Sequence, residues 1–312
     1  MQKLKTLLSS GRKTGPAAAV LAAAGLLLSA CGPLNPTAPI TPGYQPVVPG
    51  HTATQAPATG GTDNTPAAPR GFDATVRIGD CSGSIIRLPD SQPTDKALIL
   101  TNGHCDHRTE TQGGTSAERP SRVKVTLLSG PQAARIGQFT TDSLVYATMD
   151  TTDIALYRAP KTYEQLRLHY GITPYQLDTS GPAVGDKIRI PSGYWRKQFS
   201  CDVNAIVPTV REQSWHWDNA IRFSGLQCPT QNGTSGSPMI NPSTGLIVGV
   251  NNSGNFSNSC SYESPCDMND KGELTMVAHA RYGAQTAMIP QCFDRSGFVG
   301  GAQCPLPQPQ RF

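Results

Sequence analysis

Residues 122–128 read Arg-Val-Lys-Val-Thr-Leu-Leu, which places Val123, Val125 and Leu127 on one face and Arg122, Lys124 and Thr126 on the other. A period of two in β-branched residues describes an antiparallel strand with one side on a core and one in water. Working outward, runs of similar character recur at Ala74–Ile78, Ala97–Thr101, Asp153–Tyr157, Lys187–Pro191, Ala205–Val207, Ala220–Phe223, Leu246–Asn251 and Leu274–Ala278, separated by Gly, Pro, Asn, Asp and Ser. Leu246-Ile247-Val248-Gly249-Val250 is apolar throughout and reads as a buried strand. Only Tyr163–Tyr170 reads as mildly helical. Many short strands punctuated by turns call for a β-barrel or sandwich rather than alternating β and α.

Composition agrees. The 312 residues include 31 Gly and 27 Pro, and charged residues make up only 15%, against roughly 25% in an average soluble domain. A charge-laced helical bundle or coiled coil is therefore excluded. The formal charge of +4 resides in Lys3, Lys5, Arg12 and Lys13; without those four of its 26 cations the chain matches its 22 acidic residues. A nucleic-acid partner, which needs clustered excess cation, is not indicated.

Those four cations precede an uncharged apolar stretch, Ala17–Leu28. It is too short for a membrane span, which needs roughly 20 apolar residues, and it has the layout of an export signal over residues 1–30. Leu28-Ser29-Ala30-Cys31 resembles the lipobox of bacterial lipoproteins, which implies lipidation of Cys31 and an extracytoplasmic protein anchored to a bacterial membrane; ordinary cleavage leaving a free Cys31 is the alternative. Residues 31–70 hold nine prolines from Gly32 onward and almost no large apolar side chains, so they read as a tether without a core. The domain proper spans 71–312.

Besides Cys31, eight cysteines remain: Cys81, Cys105, Cys201, Cys228, Cys260, Cys266, Cys292 and Cys304. An even number in an exported chain reads as disulfides in an oxidising compartment, with the connectivity open. No pair has Cys-x-x-Cys spacing, so a metal site is not suggested, and no cofactor is expected.

Three segments carry chemistry as a set: Thr101-Asn102-Gly103-His104-Cys105, Thr152-Asp153-Ile154-Ala155-Leu156 and Gly233-Thr234-Ser235-Gly236-Ser237-Pro238. The order His, Asp, Ser is one of three in which nucleophilic triads occur. With Cys81-Ser82-Gly83-Ser84, these motifs resemble those of the chymotrypsin-like serine peptidases: T-A-A-H-C, D-I-A-L, G-D-S-G-G-P and the C-S/G-G-S/T strand. The resemblance covers residues 71 to about 300. It implies an all-β fold of two antiparallel six-stranded barrels with the active site between them. It further implies His104 as base, Asp153 as its orienter, Ser235 as nucleophile, the N–H groups of Gly233 and Ser235 as oxyanion donors, and a Cys81–Cys105 disulfide. The activity implied is endopeptidase cleavage of a protein or peptide substrate, the alternative being a catalytically silent homologue that binds a partner.

Asp106, His107, Asp150 and Ser237 lie close to the chosen residues, but the flanking motif fits only the chosen register. His216 and His279 read as structural or surface residues. Thr234 replaces the Asp that precedes the nucleophile in the digestive enzymes, and no Ile-Val-Gly-Gly-like sequence precedes Cys81, so no trypsin-style activation switch is expected. The Gly-x-Ser-Gly-Ser-Pro form is more similar to the bacterial glutamyl-endopeptidase and heat-shock-peptidase branches. Cys228 is displaced from the family's usual position, which implies a rebuilt pocket wall, and Asn251–Gly254 is the candidate substrate-binding strand.

Overall fold

The computed structural model describes residues 71–257, 259–260 and 264–309. The expected export signal, the lipidation expected at Cys31 and the expected tether all fall outside the described residues.

Nine strands form the first sheet: β1 (Thr75–Ile78), β2 (Cys81–Arg87), β3 (Lys96–Thr101), β4 (Thr115–Pro120), β5 (Lys124–Ser129), β6 (Ala134–Thr140), β7 (Ser143–Thr148), β8 (Ile154–Thr162) and β9 (Tyr175–Gln176). Their order is β4-β7-β8-β3-β2-β1-β5-β6, all antiparallel, with β9 parallel beside β2. The second sheet contains β10 (Lys187–Ser192), β11 (Lys197–Glu212), β12 (Trp215–Ser224), β13 (Pro238–Ile240), β14 (Ile247–Gly254), β15 (Cys266–Met268), β16 (Leu274–Thr275) and β17 (Ala280–Gln285), and a hairpin of β18 (Phe293–Asp294) and β19 (Gly297–Phe298) follows. Around the second sheet the order β10-β13-β14-β17-β12-β11 closes on itself through a β10–β11 pairing. That ring is a six-stranded antiparallel barrel, with β15 and β16 appended to β11.

The first sheet departs from the expected six strands. Its path runs through eight, and no pairing among the described residues closes it. The two terminal strands, Thr-Ser-Ala-Glu-Arg-Pro of β4 and Ala-Arg-Ile-Gly-Gln-Phe-Thr of β6, are largely polar and have no fully buried residue, as suits strands that meet water along one edge. Their weak apolar pattern is also why the sequence did not reveal them.

Val125 and Leu127 of β5 are fully buried with Ile85, Ile99, Leu100, Leu144 and Leu156, and the same cluster reaches Ile240, Ile247 and Val250 of the second sheet. A separate core of Ile188, Ile190, Phe199, Ile221, Phe223, Met239 and Val248 fills the closed barrel. The outer face of β5 is drier than its alternation suggests. Phe72 folds back over it, its N–H donating to the Gly130 carbonyl at 3.0 Å, and buries Leu128 together with Ala133.

Helix α1 (His107–Gln112) follows the His104 turn, and α2 covers Tyr163–Tyr170. Thr162 and Gln165 cap the start of α2 reciprocally, and Gly171, left-handed at φ 66°, ends it. A third, single-turn helix, α3, spans Ile289–Cys292. The expected strand Leu274–Ala278 shrinks to exposed β16, because Leu274 and Met276 stay in water and only Val277 packs, half-buried, against the cluster of Val207, Trp217 and Tyr282.

Candidate active site

Strand β3 ends at Thr101, and the chain enters a single 3-10 turn, Gly103–Cys105. The turn requires glycine at 103, where a Cβ would run into the Thr148 carbonyl oxygen. Cys105 is bonded to Cys81 at the start of β2, so the imidazole of His104 projects from a turn held at both sides. Asp153 immediately precedes β8, and its side chain is wholly buried. One of its oxygens accepts the His104 backbone N–H at 2.9 Å, and the other lies 2.6 Å from His104 Nδ1. This two-point grip fixes the ring's direction. Burial draws the imidazole pKa down, but the charge and hydrogen bond of Asp153, helped by Glu110 and Glu212, outweigh it and raise the pKa above its ordinary value.

Ser235 sits in the loop ahead of β13. Its carbonyl accepts the Ser82 N–H at 2.8 Å, and Thr101 Oγ1 donates to the Ser82 carbonyl at 2.8 Å. At Gly236, φ is 77°, and a Cβ would strike Thr101 Oγ1 and the Ser82 carbonyl. Asn102 completes the junction. Its Nδ2 donates to the Asp153 carbonyl at 2.8 Å, and its Oδ1 accepts the Gly236 N–H at 2.5 Å. One buried amide thus ties together the His104 turn, the Asp153 strand and the Ser235 loop. Sequence reasoning assigned Asn102 no role; the available signal was an amide residue two positions before the motif His. The Ser235 hydroxyl donates to the Asn252 carbonyl at 3.3 Å, and no hydrogen bond joins it to His104 in this structure.

The N–H groups of Gly233 and Ser235 make no hydrogen bond among the described residues. Gly233 has φ 87°, and a Cβ there would meet the Tyr194 ring. Ser82 Oγ donates to the Gly233 carbonyl at 3.0 Å. Trp195 Nε1 donates to the Asn232 carbonyl at 2.8 Å, and because a trans peptide sets C=O and N–H on opposite sides, this bond also sets the direction of the Gly233 N–H. Sequence reasoning missed Trp195, since its partner lies 37 residues away.

None of the neighbouring candidates joins the His104–Asp153 pair. Asp106 caps α1 through the Thr109 N–H at 3.0 Å, accepts the Thr109 and Tyr157 hydroxyls at 2.8 and 3.1 Å, and pairs with Arg119. Burial would raise its pKa, but Arg119 and Thr109 hold it below the ordinary carboxylate value. His107 is exposed beside Glu110, Asp150 is exposed, and Ser237 is fully buried. His216 lies on β12 opposite Arg211, and His279 is exposed. Thr234 is buried in uncharged hydrogen bonds to Gln231 and Asn251. Cys228, just after β12, is bonded to Cys201 on the neighbouring strand β11, and Cys260–Cys266 and Cys292–Cys304 are also joined. Four disulfides place the chain in an oxidising, extracytoplasmic setting. The sulfurs of Cys81 and Cys105 lie near His104, but a disulfide supplies no thiolate for a metal.

A two-sheet β architecture with a buried Asp gripping a partly exposed His beside a Ser-bearing loop defines the peptidase class of chymotrypsin-type proteins. Residues 81–250, over half the chain, match the family model described as Trypsin-like peptidase domain, and the chain belongs to that family. A 156-residue stretch is 28% identical to the genome polyprotein of Turnip mosaic virus (strain Quebec), covering 47% of this chain and 4% of the polyprotein's length. Among solved structures, the apo MamO protease domain of Magnetospirillum magneticum is 13% identical with a TM-score of 0.44, over 70% of this chain and 94% of that one. Cellulomonas bogoriensis chymotrypsin is 14% identical with a TM-score of 0.37, over 69% and 90%.

Proposed function

We propose that the protein is an exported serine endopeptidase that cleaves peptide bonds through an acyl-enzyme. The reading rests on one observation: the His104–Asp153 pair is pinned through Asn102 to the loop that carries Ser235. A Ser hydroxyl is a weak nucleophile at neutral pH, so its proton must pass to His104 Nε2 as Oγ bonds to the scissile carbonyl carbon. Here Ser235 Oγ first leaves the Asn252 carbonyl, a rotation about one side-chain bond; such contacts commonly tighten only with substrate present. Negative charge gathers on the carbonyl oxygen, where the unpartnered N–H groups of Gly233 and Ser235 receive it. His104 then protonates the leaving amine as the C–N bond breaks, and water repeats the sequence to release the acid. Asp153 keeps the Nδ1 proton in place and stabilises the imidazolium.

Export and a lipid on Cys31 complete the proposal, so that the tether would hold the domain off a membrane. Two acyl chains would make that attachment stable, at about 0.8 kcal/mol per buried methylene. A fluorophosphonate probe tests the enzyme reading. It should label the mature protein at Ser235, located by mass spectrometry, and not label Ser235→Ala. A folded, disulfide-bonded wild type that does not label would overturn the reading in favour of a silent binding homologue. Retention of the intact N-terminal peptide, unacylated, would overturn the anchor.

A further inference from the structure

We propose that Arg281 makes this site selective for an acidic residue, Asp or Glu, on the acyl side of the scissile bond. The inference rests on the reading of Ser235 as nucleophile.

Arg281 lies on β17 and is only 8% exposed. Its Nε donates to the Thr230 carbonyl at 3.1 Å, and its Nη1 to the carbonyls of Asn255 and Ala280 at 3.0 Å each. The Phe256 ring lies over the guanidinium, 4.0 Å from the centroid to the central carbon. Neutral oxygens and one ring face thus surround the cation, and no carboxylate pairs with it among the described residues. Taking a charge out of water costs several kcal/mol unless an opposite charge meets it. The fold nevertheless makes room for this one. Side chains at Gly225 and Gly254 would collide with the guanidinium and its stem.

Two of the three carbonyls that hold Arg281, those of Thr230 and Asn255, belong to the segments flanking Ser235. Thr230 stands in the loop that leads to Ser235, and Asn255 follows Asn252, whose carbonyl accepts from Ser235 Oγ. Three residues of extended chain span at most about 10 Å. With the scissile carbonyl oxygen on the Gly233 and Ser235 N–H groups, the side chain on its acyl side is directed between these segments, towards Arg281. Nη2 makes no hydrogen bond among the described residues, so it is available to a carboxylate in the charge-assisted geometry arginine favours. Thr230 Oγ1 and Ser253 Oγ, on the same two segments, are buried without a partner among the described residues. A neutral substrate side chain would leave the cation unpaired, and a basic one would be repelled.

Peptides differing only at that residue (Asp, Glu, Ala, Leu, Lys) separate the possibilities, with kcat/KM normalised to the Ser235 that fluorophosphonate titrates in each variant. Wild type should favour Asp or Glu by roughly 10²-fold or more, as a site with a buried polar partner discriminates. Arg281→Gln should bring the ratio to within about tenfold, and Arg281→Lys should restore part of it. A titrating wild type that prefers neutral or basic residues, or Arg281→Gln with the acid preference intact, would overturn the proposal while leaving the nucleophile reading standing. Should Arg281→Gln not fold, the wild-type ratio and the Lys variant decide. A wild type that does not titrate would overturn both.

Discussion

Replacing Asn102 with Ala removes the amide that joins three chain segments, and its cost follows from who loses a partner. Asn102 is fully buried. The Gly236 N–H keeps an alternative acceptor, the Asn251 carbonyl at 2.9 Å, so that loss amounts to one ordinary hydrogen bond of about 1 kcal/mol. The Asp153 carbonyl loses the Asn102 donor at 2.8 Å in a dry site, where an unsatisfied group costs about 1–3 kcal/mol. Together Asn102→Ala should lower stability by about 2–4 kcal/mol, or roughly 5–15 °C in Tm at about 2–4 °C per kcal/mol for a domain of this size. The Ser235 loop, released from the Asp153 strand, should also react more slowly with fluorophosphonate, by about 10²-fold if the nucleophile shifts by about 1 Å. Calorimetry on the oxidised protein and the second-order labelling rate are the two readouts. A loss below about 0.5 kcal/mol with an unchanged labelling rate would show that Asn102 does not hold the junction.

The acid limb of kcat/KM should fall above the ordinary imidazole value of 6.5, because Asp153 favours protonated His104; Asp153→Asn should move that limb down and reduce kcat by about 10⁴-fold. The same raised pKa means that the pair contributes stability fully below the ordinary value and loses it as pH rises through the folded one, so His104→Ala should cost more Tm in acid than in alkali. Arg119→Ala should destabilise the domain by about 2–3 kcal/mol, below the 3–5 of a fully broken buried pair, because Thr109 and Tyr157 still bind Asp106. Asp106, with its depressed pKa, should lose its stabilising contribution as pH falls through the folded value, which acid denaturation of wild type against Asp106→Asn would show. Replacing Cys81 and Cys105 by Ser should cost about 3 kcal/mol, measurable by denaturant titration, and should slow Ser235 labelling by freeing the His104 turn.

Much of this molecule was local enough to read from its residues. The alternation at 122–128, the continuous run at 246–250 and the capped helix at 163–170 each follow from patterns a few residues long, and each forms an ordered element. Strands β4 and β6 escaped because edge strands have little apolar pattern to show. The segments around His104, Asp153 and Ser235 stood out because the chemistry demands particular residue types within short motifs. Their junction through Asn102, the peptide set by Trp195 and the guanidinium of Arg281 held between Thr230 and Asn255 could not be seen that way. Hydrogen bonds between residues 26 to 134 apart in the chain exist only once the sheets have closed. Three disulfides were open among many connectivities for the same reason. Sequence by itself determined an all-β, disulfide-bonded chain of trypsin-like type, since those properties reside in composition and local pattern. Only the tertiary structure decided that one sheet closes as a six-stranded ring, that the path of the other runs through eight strands, and that a buried cation lies beyond Ser235, because each depends on which distant backbone groups meet.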